Sequence, residues 1–316
     1  MLTESYLKSI GKKNFASILK KKRNCSVYGC KETAIKSHII WKGGVISKLA
    51  VKGHVLQLSS GIDRYRLDPL HIATVGINEA LTFKGFCNFH DTKIFFPIEE
   101  GKRSLKTKRN QILLVLRALF FERTKKQVII DWYEAQLAEK ILPLQMQEVF
   151  LRAAIGENQL GIQYINWYID ELNIEFNRGK ERFQFNYFEF DEIELTVNGI
   201  FHIEDIYKNI PNYVSHNSLL VCVMPFMGKS VLVVGFHNNF LENFKIISRI
   251  RTFTQKDFKN FALHLITYRL ENWVCSQRFF DQYIKHGLEA YLRLFQETHN
   301  EPFSPSMMTE SPLKIK

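Results

Sequence analysis

The sequence predicts an α+β protein: a basic, cysteine-bearing N-terminal module, then a helical layer, a small β-sheet and C-terminal helices. Three observations lead there. Three of the five cysteines fall within residues 25–87, and the last of them is followed closely by a histidine. From about residue 105, apolar residues recur at three- and four-residue spacing, the period of helices that bury one face. Between residues 183 and 236 that period gives way to alternating or β-branched runs, the pattern of strands.

The module is bracketed by two short segments. Cys25-Ser-Val-Tyr-Gly-Cys30 opens it, His38 follows in Ser37-His38-Ile39-Ile40, and Cys87-Asn88-Phe89-His90-Asp91 closes it. Soft or borderline donors two to four residues apart can be aimed at one point by a tight turn, as a tetrahedral Zn²⁺ site requires. Cys25, Cys30, Cys87 and His90 are therefore read as ligands of a structural Zn²⁺; the alternative is a set of buried thiols and a surface histidine. Residues 2–22 fit an amphipathic helix, with Leu2, Tyr6, Ile10, Ile18 and Leu19 on one broad face. Val45–Leu49 reads as a short helix and Val55–Leu58 as a strand, with Gly43, Gly44, Gly53, Gly61 and Gly76 as punctuation. Asp91–Ile98 opens a helix that Pro97 stops. A turn carrying the first pair, followed by a turn and helix carrying the second, is the layout of a treble-clef zinc module.

Beyond residue 105, helices are predicted over Ile112–Glu122, Val128–Ile141, Leu144–Ile155 and Leu160–Phe176, with breaks at Pro143 and Gly156. Strands follow at Phe183–Phe190, Ile193–Val197, Leu219–Val223 and Val231–Phe236, with turns at Gly199, Pro211 and Pro225. Helical periodicity returns over Phe240–Ile250 and Phe258–Phe295. The residues from about Thr298 onward hold three prolines and little to bury, so disorder is expected there. The organisation is thus a zinc domain over residues 1–104, a helical and α+β accessory domain over 105–297, and a tail over 298–316. Met227-Gly228-Lys229-Ser230 invites comparison with a phosphate-binding loop, but that motif needs a glycine five positions before Gly228 and Val223 stands there. The segment reads as a turn feeding a strand.

Composition bounds the function. At 316 residues and 46% apolar content, the chain can cover a substantial core. Its densest apolar run, Ile112–Phe121, is interrupted by Arg117 and suits a buried helix better than a membrane span. The lysines near the N-terminus lack the apolar core of an export signal, so a cytoplasmic protein without membrane partners is expected. Cys222 and Cys275 lie in apolar surroundings suited to buried thiols rather than a disulfide. The net charge of +11 is unevenly placed: residues 1–109 carry 21 basic against 8 acidic residues, and the rest of the chain is slightly acidic. The excess gathers at Lys20, Lys21, Lys22 and Arg23, and again at Lys102, Arg103, Lys106, Lys108 and Arg109. Such clusters beside a metal module suit a phosphate backbone, DNA ahead of RNA. The alternative is a solvated face and a basic linker. A nearly neutral accessory region is left for a protein partner or for a second copy of the chain.

These residues resemble the HNH endonucleases, the zinc-containing branch of the ββα-metal nucleases, over about residues 20–100. The resemblance implies that Cys25 and Cys30 are the first ligand pair, Cys87 and His90 the second, and His38 the histidine on the strand. His38 would act as general base on a water, and Asp91 would help to hold a catalytic Mg²⁺ or Mn²⁺. Two local alternatives stay open: His38 as a backbone-bonded core histidine, and Asp91 as a cap of the following helix. The first pair is spaced by four residues instead of two, and Ser37 replaces the usual His or Asp before the strand histidine. The family's middle asparagine falls near Thr82, with Asn78 and Asn88 the nearest asparagines. The functions implied are a nucleic-acid endonuclease, as in genome defence or a mobile element, or a zinc-stabilised nucleic-acid-binding protein without catalysis. His54, a candidate to supply a missing ligand or orient the site, and His71 read as structural or exposed, while His202, His216 and His237 carry no assignment.

Overall fold

A computed structural model describes residues 4–63, 66–100, 105–138, 145–203, 216–298, 303 and 308–309. Leu2, Lys102, Arg103, Pro143, Pro211, the predicted helix ends at 139–144 and most of the 298–316 tail lie outside the described residues. The architecture is α+β, a mixture of long helices and antiparallel sheet.

Helix α1 (Glu4–Lys20) leads to β1 (Lys36–His38), which pairs antiparallel with β4 (Thr82–Lys84) in a two-stranded sheet. Between them lie a π-helical turn at Lys42–Ile46, the single turn α2 (Ser47–Leu49), and a long hairpin of β2 (His54–Asp63) and β3 (Arg66–Gly76). The predicted strand Val55–Leu58 is thus the start of a ten-residue strand, and its partner β3 was not expected from the sequence. Pro69 argues against a central strand, and β3 accordingly lies at the sheet edge, where a missing N–H is tolerated. Helix α3 (Asn88–Glu99) runs through Pro97 rather than stopping at it. The proline sits in the last turn, so few helical residues follow the bond it removes.

Two long helices replace the four predicted ones. Helix α4 (Lys108–Ala138) and α5 (Gln145–Arg178) pack along one another, and Gly156 lies inside α5 without ending it. A helical glycine costs only about 1 kcal/mol relative to alanine, which packing along a 34-residue helix can offset. Strands β5 (Phe183–Phe190), β6 (Leu195–His202), β7 (Ser218–Phe226) and β8 (Lys229–His237) follow. Pro225 sits near the end of β7, and the turn to β8 is Met227-Gly228, both at positive φ (52° and 78°), which matches the twist of a two-residue hairpin. Gly199 is not a turn but a point inside β6 where Leu270 approaches closely. After the 3₁₀ turn Leu241–Asn243 come α6 (Phe244–Ile250) and α7 (Gln255–Tyr268). The predicted continuous helical stretch is then broken by β9 (Trp273–Cys275), before α8 (Gln277–Tyr283), the 3₁₀ turn Lys285–Gly287 and α9 (Leu288–Thr298).

The larger sheet has seven strands in the order β3-β2-β9-β6-β7-β8-β5, all antiparallel. Three-residue β9 joins the hairpin from the first hundred residues to the strands of the second half: Cys275 faces Leu56 on one side and Leu195 on the other. The sheet therefore spans the residue-104 boundary drawn from the sequence. Alternation along its central strands divides the core. Leu220, Cys222, Met224, Val231 and Val233 join the cluster with α4, α5 and the N-terminal module, whereas Leu219, Val221, Val223, Leu232 and Val234 face α6, α7 and α9. Cys222 and Cys275 are fully buried free thiols. In the predicted tail, Phe303 and Met308 are buried in the second cluster. Among the described residues, no helix is long and apolar enough to cross a membrane.

His264 on α7 is buried beside Tyr268 and Phe303, and its Nε2 has no hydrogen-bond partner among the described residues. Burial, with the nearby Arg269 charge, lowers its pKa from 6.5 to about 3. Between these values the unfolded chain binds the proton and the folded chain does not, so stability rises with pH by up to about 1.4 kcal/mol per unit. The contribution is complete above pH 6.5 and is lost as pH falls below it. Denaturant midpoints measured across this range should show a shallower slope for His264→Leu than for the wild type; parallel profiles would refute the assignment.

Candidate metal centre

Local backbone geometry brings two distant segments together. In the first, the N–H of Cys25 bonds to the Glu32 carbonyl (2.9 Å) and that of Cys30 to the Val27 carbonyl (3.1 Å), closing a loop around the pair. Gly29, at φ +75°, makes the left-handed turn that points Cys30 back toward Cys25. The N–H of Ser26 bonds to the Gly85 carbonyl (2.8 Å), tying this loop to the end of β4. The second segment follows directly: Cys87 is the N-cap of α3, and His90 lies in the first turn, so both side chains return to the same side.

The result is a cluster of Cys25, Cys30, Cys87 and His90 whose donor atoms all lie within 4.8 Å of one another. His90 Nδ1 is 3.4 Å from Cys25 Sγ and 3.3 Å from Cys87 Sγ, and the Cys30 and Cys87 sulfurs are 4.0 Å apart. That sulfur separation is about twice a disulfide bond. It suits donors placed about 2.0–2.3 Å from a common centre. The backbone N–H of His90 lowers the Cys87 thiol pKa, as expected at a helix N-terminus. At Cys30 the Glu32 backbone also lowers the pKa, but burial and the Cys25 and Cys87 thiols outweigh it and raise the net value. Three sulfurs and one imidazole nitrogen can hold a metal ion.

His38 lies on β1, opposite Thr82. Its Nε2 is 2.8 Å from the Ile77 carbonyl, so this nitrogen carries the proton and Nδ1 is the basic one. Burial is the chief cause of its lowered pKa, partly offset by the Ile77 bond. Ser37, one residue earlier, points to the opposite face of the strand, is 1% exposed, and its hydroxyl has no partner among the described residues. It cannot join His38 around a cation in this arrangement.

Asp91, in the first turn of α3, accepts a bond from Arg117 Nη2 to Oδ1 at 2.8 Å. Arg117 is the charged residue that interrupts the apolar run of α4. It is 1% exposed, bonds Glu99 at the other end of α3, and stacks over Phe95 at 4.5 Å. In the sequence Arg117 argues only against a membrane span. A lone cation among apolar residues required a buried carboxylate partner, and that was the available signal.

The basic clusters are largely engaged. Arg23 bonds Asp131 at 2.8 Å, and Lys21 reaches the same carboxylate at 3.4 Å. Lys106 pairs with Glu189 at 3.1 Å, Lys108 with Glu175, and Arg109 stacks on Phe176 at 3.8 Å. These three residues fasten the start of α4 to α5 and β5. Lys20 and Lys22 are exposed. His54 is exposed and bonds the Lys52 carbonyl, and His71 is exposed.

The structure also gathers three histidines that sequence spacing left unassigned. At one end of the larger sheet, His202, His216 and His237 surround Tyr164 and Trp167 on α5. Tyr164 donates to Ser218, which is 3.1 Å from His202 Nδ1, and His237 Nε2 is 3.2 Å from Glu171. Burial lowers the pKa of both His216 and His237. Among the described residues, only the cysteine-containing cluster has metal-binding geometry.

Comparison with protein-family models, with curated proteins and with solved structures gave no match to this chain.

Elemental analysis of purified protein should find about one metal ion per chain, and Cys87→Ser should lower both occupancy and stability, because ion binding is coupled to folding. Metal-free wild type of unchanged stability would contradict this. Arg117→Ala should cost about 3 kcal/mol in denaturant unfolding, since it leaves two acidic side chains beside an apolar core.

Proposed function

We propose that the chain is an HNH-type nucleic-acid endonuclease whose ββα module is folded around a structural Zn²⁺. The supporting observation is the sequence of elements: a strand bearing His38, an antiparallel partner, and a helix bearing Asp91, with the Cys3His cluster at its base. Three thiolates and an imidazole are a common structural zinc set. The ion closes a module whose strands are only three residues long.

The Ile77 carbonyl fixes the ring orientation of His38 and leaves Nδ1 to accept a proton from an attacking water. The water oxygen bonds to phosphorus, the bond from phosphorus to the leaving oxygen breaks, and solvent protonates that oxygen. A bound Mg²⁺ or Mn²⁺ supplies positive charge to the phosphodiester in this class of chemistry. On this chain Asp91 would hold it through Oδ2, because Arg117 already engages Oδ1. Mg²⁺ keeps several waters and tolerates one protein carboxylate together with substrate phosphate. Pairing with Arg117 reduces the negative charge available, so weak cation affinity is expected. Lys20 and Lys22 offer the nearby exposed positive charge, with DNA favoured over RNA.

A second reading has a specific observation in its favour. Burial of Ser37 removes one family ligand position, and the Arg117 pair occupies part of another. The same module would then bind nucleic acid without cutting it.

Supercoiled DNA and RNA incubated with Mn²⁺ or Mg²⁺ should be nicked by wild type and not by His38→Ala, with a loss of at least about 100-fold and zinc content unchanged. Activity should fall on the acid side at a pH below 6.5, because burial lowers the His38 pKa. Tight binding without cleavage under every metal condition would establish the second reading instead.

A further inference from the structure

The outer surface of the module carries exposed aromatic rings. Tyr28, at the tip of the Cys25–Cys30 loop, is fully exposed (104%), and Phe89, between Cys87 and His90, is 60% exposed. Phe96 on α3 is 47% exposed. Phe89, Lys93 and Phe96 stand at positions i, i+4 and i+7, so they share one face of α3, whereas Phe95 and Ile98 on the same helix are buried. The Lys93 ammonium lies 5.0 Å from the Phe89 ring centroid, and the Phe89 ring is 5.2 Å from that of the ligand His90. The stripe spans about 10 Å along the helix axis.

Tyr28 belongs to no core, and more than half of Phe89 faces solvent. Tyr28 and Phe89 each lie within three residues of two members of the cluster, so an ion bound there would restrain both segments. Exposed, pre-positioned rings interleaved with lysine present flat π surfaces and positive charge together. Unpaired nucleobases beside a phosphate chain match both features, whereas paired bases hide their faces in the helical stack. Lys22, Lys31 and Lys93 are exposed on the same module, in the part of the chain that carries all of its excess positive charge.

We propose that Tyr28, Phe89 and Phe96 form a stacking platform for unpaired nucleotides, with Lys93 contacting the adjacent phosphate. This rests on the nucleic-acid reading above and narrows it to single-stranded or locally opened substrate. The platform is a binding surface and takes no part in bond breaking.

The test is fluorescence anisotropy with a dye-labelled oligothymidine and a duplex of equal length, at two salt concentrations, on full-length protein. Wild type should prefer the single strand. Tyr28→Ala and Phe89→Ala should each weaken single-strand binding roughly 5- to 150-fold and leave duplex binding within about twofold. Tyr28→Phe and Phe89→Tyr should retain wild-type affinity, and metal content with thermal unfolding should confirm that every variant keeps its fold. Single-strand binding unchanged in both alanine variants would overturn the platform and leave the nucleic-acid reading intact. Alanine variants that change only the sedimentation of the protein would overturn it in favour of a protein-protein surface. Wild type that binds neither oligonucleotide at low salt would overturn both.

Discussion

Helix α4 is the constraint on which the other elements depend. Ten successive residues from Ile112 to Phe121 are buried, and a helix apolar on every side is stable only when enclosed. Helices α1, α3 and α5 and strands β4, β6 and β7 all pack on it. Its one buried cation projects toward α3, and its Leu114 carbonyl accepts a bond from Asn198 in the middle of β6. The cysteine-bearing module and the seven-stranded sheet are therefore both held to a single helix. Movement of the candidate site relative to the sheet would have to break a buried ion pair or open the core.

The metal module is economical in a different way. Its two strands are three residues long, and the 43 residues between them leave the module to build a hairpin that belongs to the larger sheet. Local pairing is too short to position His38 and Asp91. A ligand cluster at one end and the Arg117 pair at the other take over that task. Asp91 shares its negative charge with Arg117. The pair fixes the first turn of α3 against α4.

Several of the basic residues that suggest a phosphate-binding surface are engaged by carboxylates of the fold. Asp131, Glu175 and Glu189, all distant in sequence, neutralise Arg23, Lys108 and Lys106. Net charge counts such residues as though they were free, because a sequence does not show which opposite charge lies within 4 Å. The positive surface that remains is smaller, and it borders the exposed aromatic rings of the module.

The sequence by itself determined the α+β class, the helical and strand character of most segments, the turn at Met227-Gly228, and the membership of the cysteine cluster. Each is a short-range property: residue period, turn chemistry or ligand spacing. Only the tertiary structure decided the length of α4 and α5, because the weak break at Gly156 is overridden by packing. It alone decided the existence of β9, since Trp273–Cys275 is too short to show a period and is a strand only through neighbours about 75 and 215 residues away. The burial of Ser37 and the partners of Asp91 and of the basic clusters are hidden for the same reason. Which charge is paired, and which face is buried, depends on residues that meet only when the chain has folded.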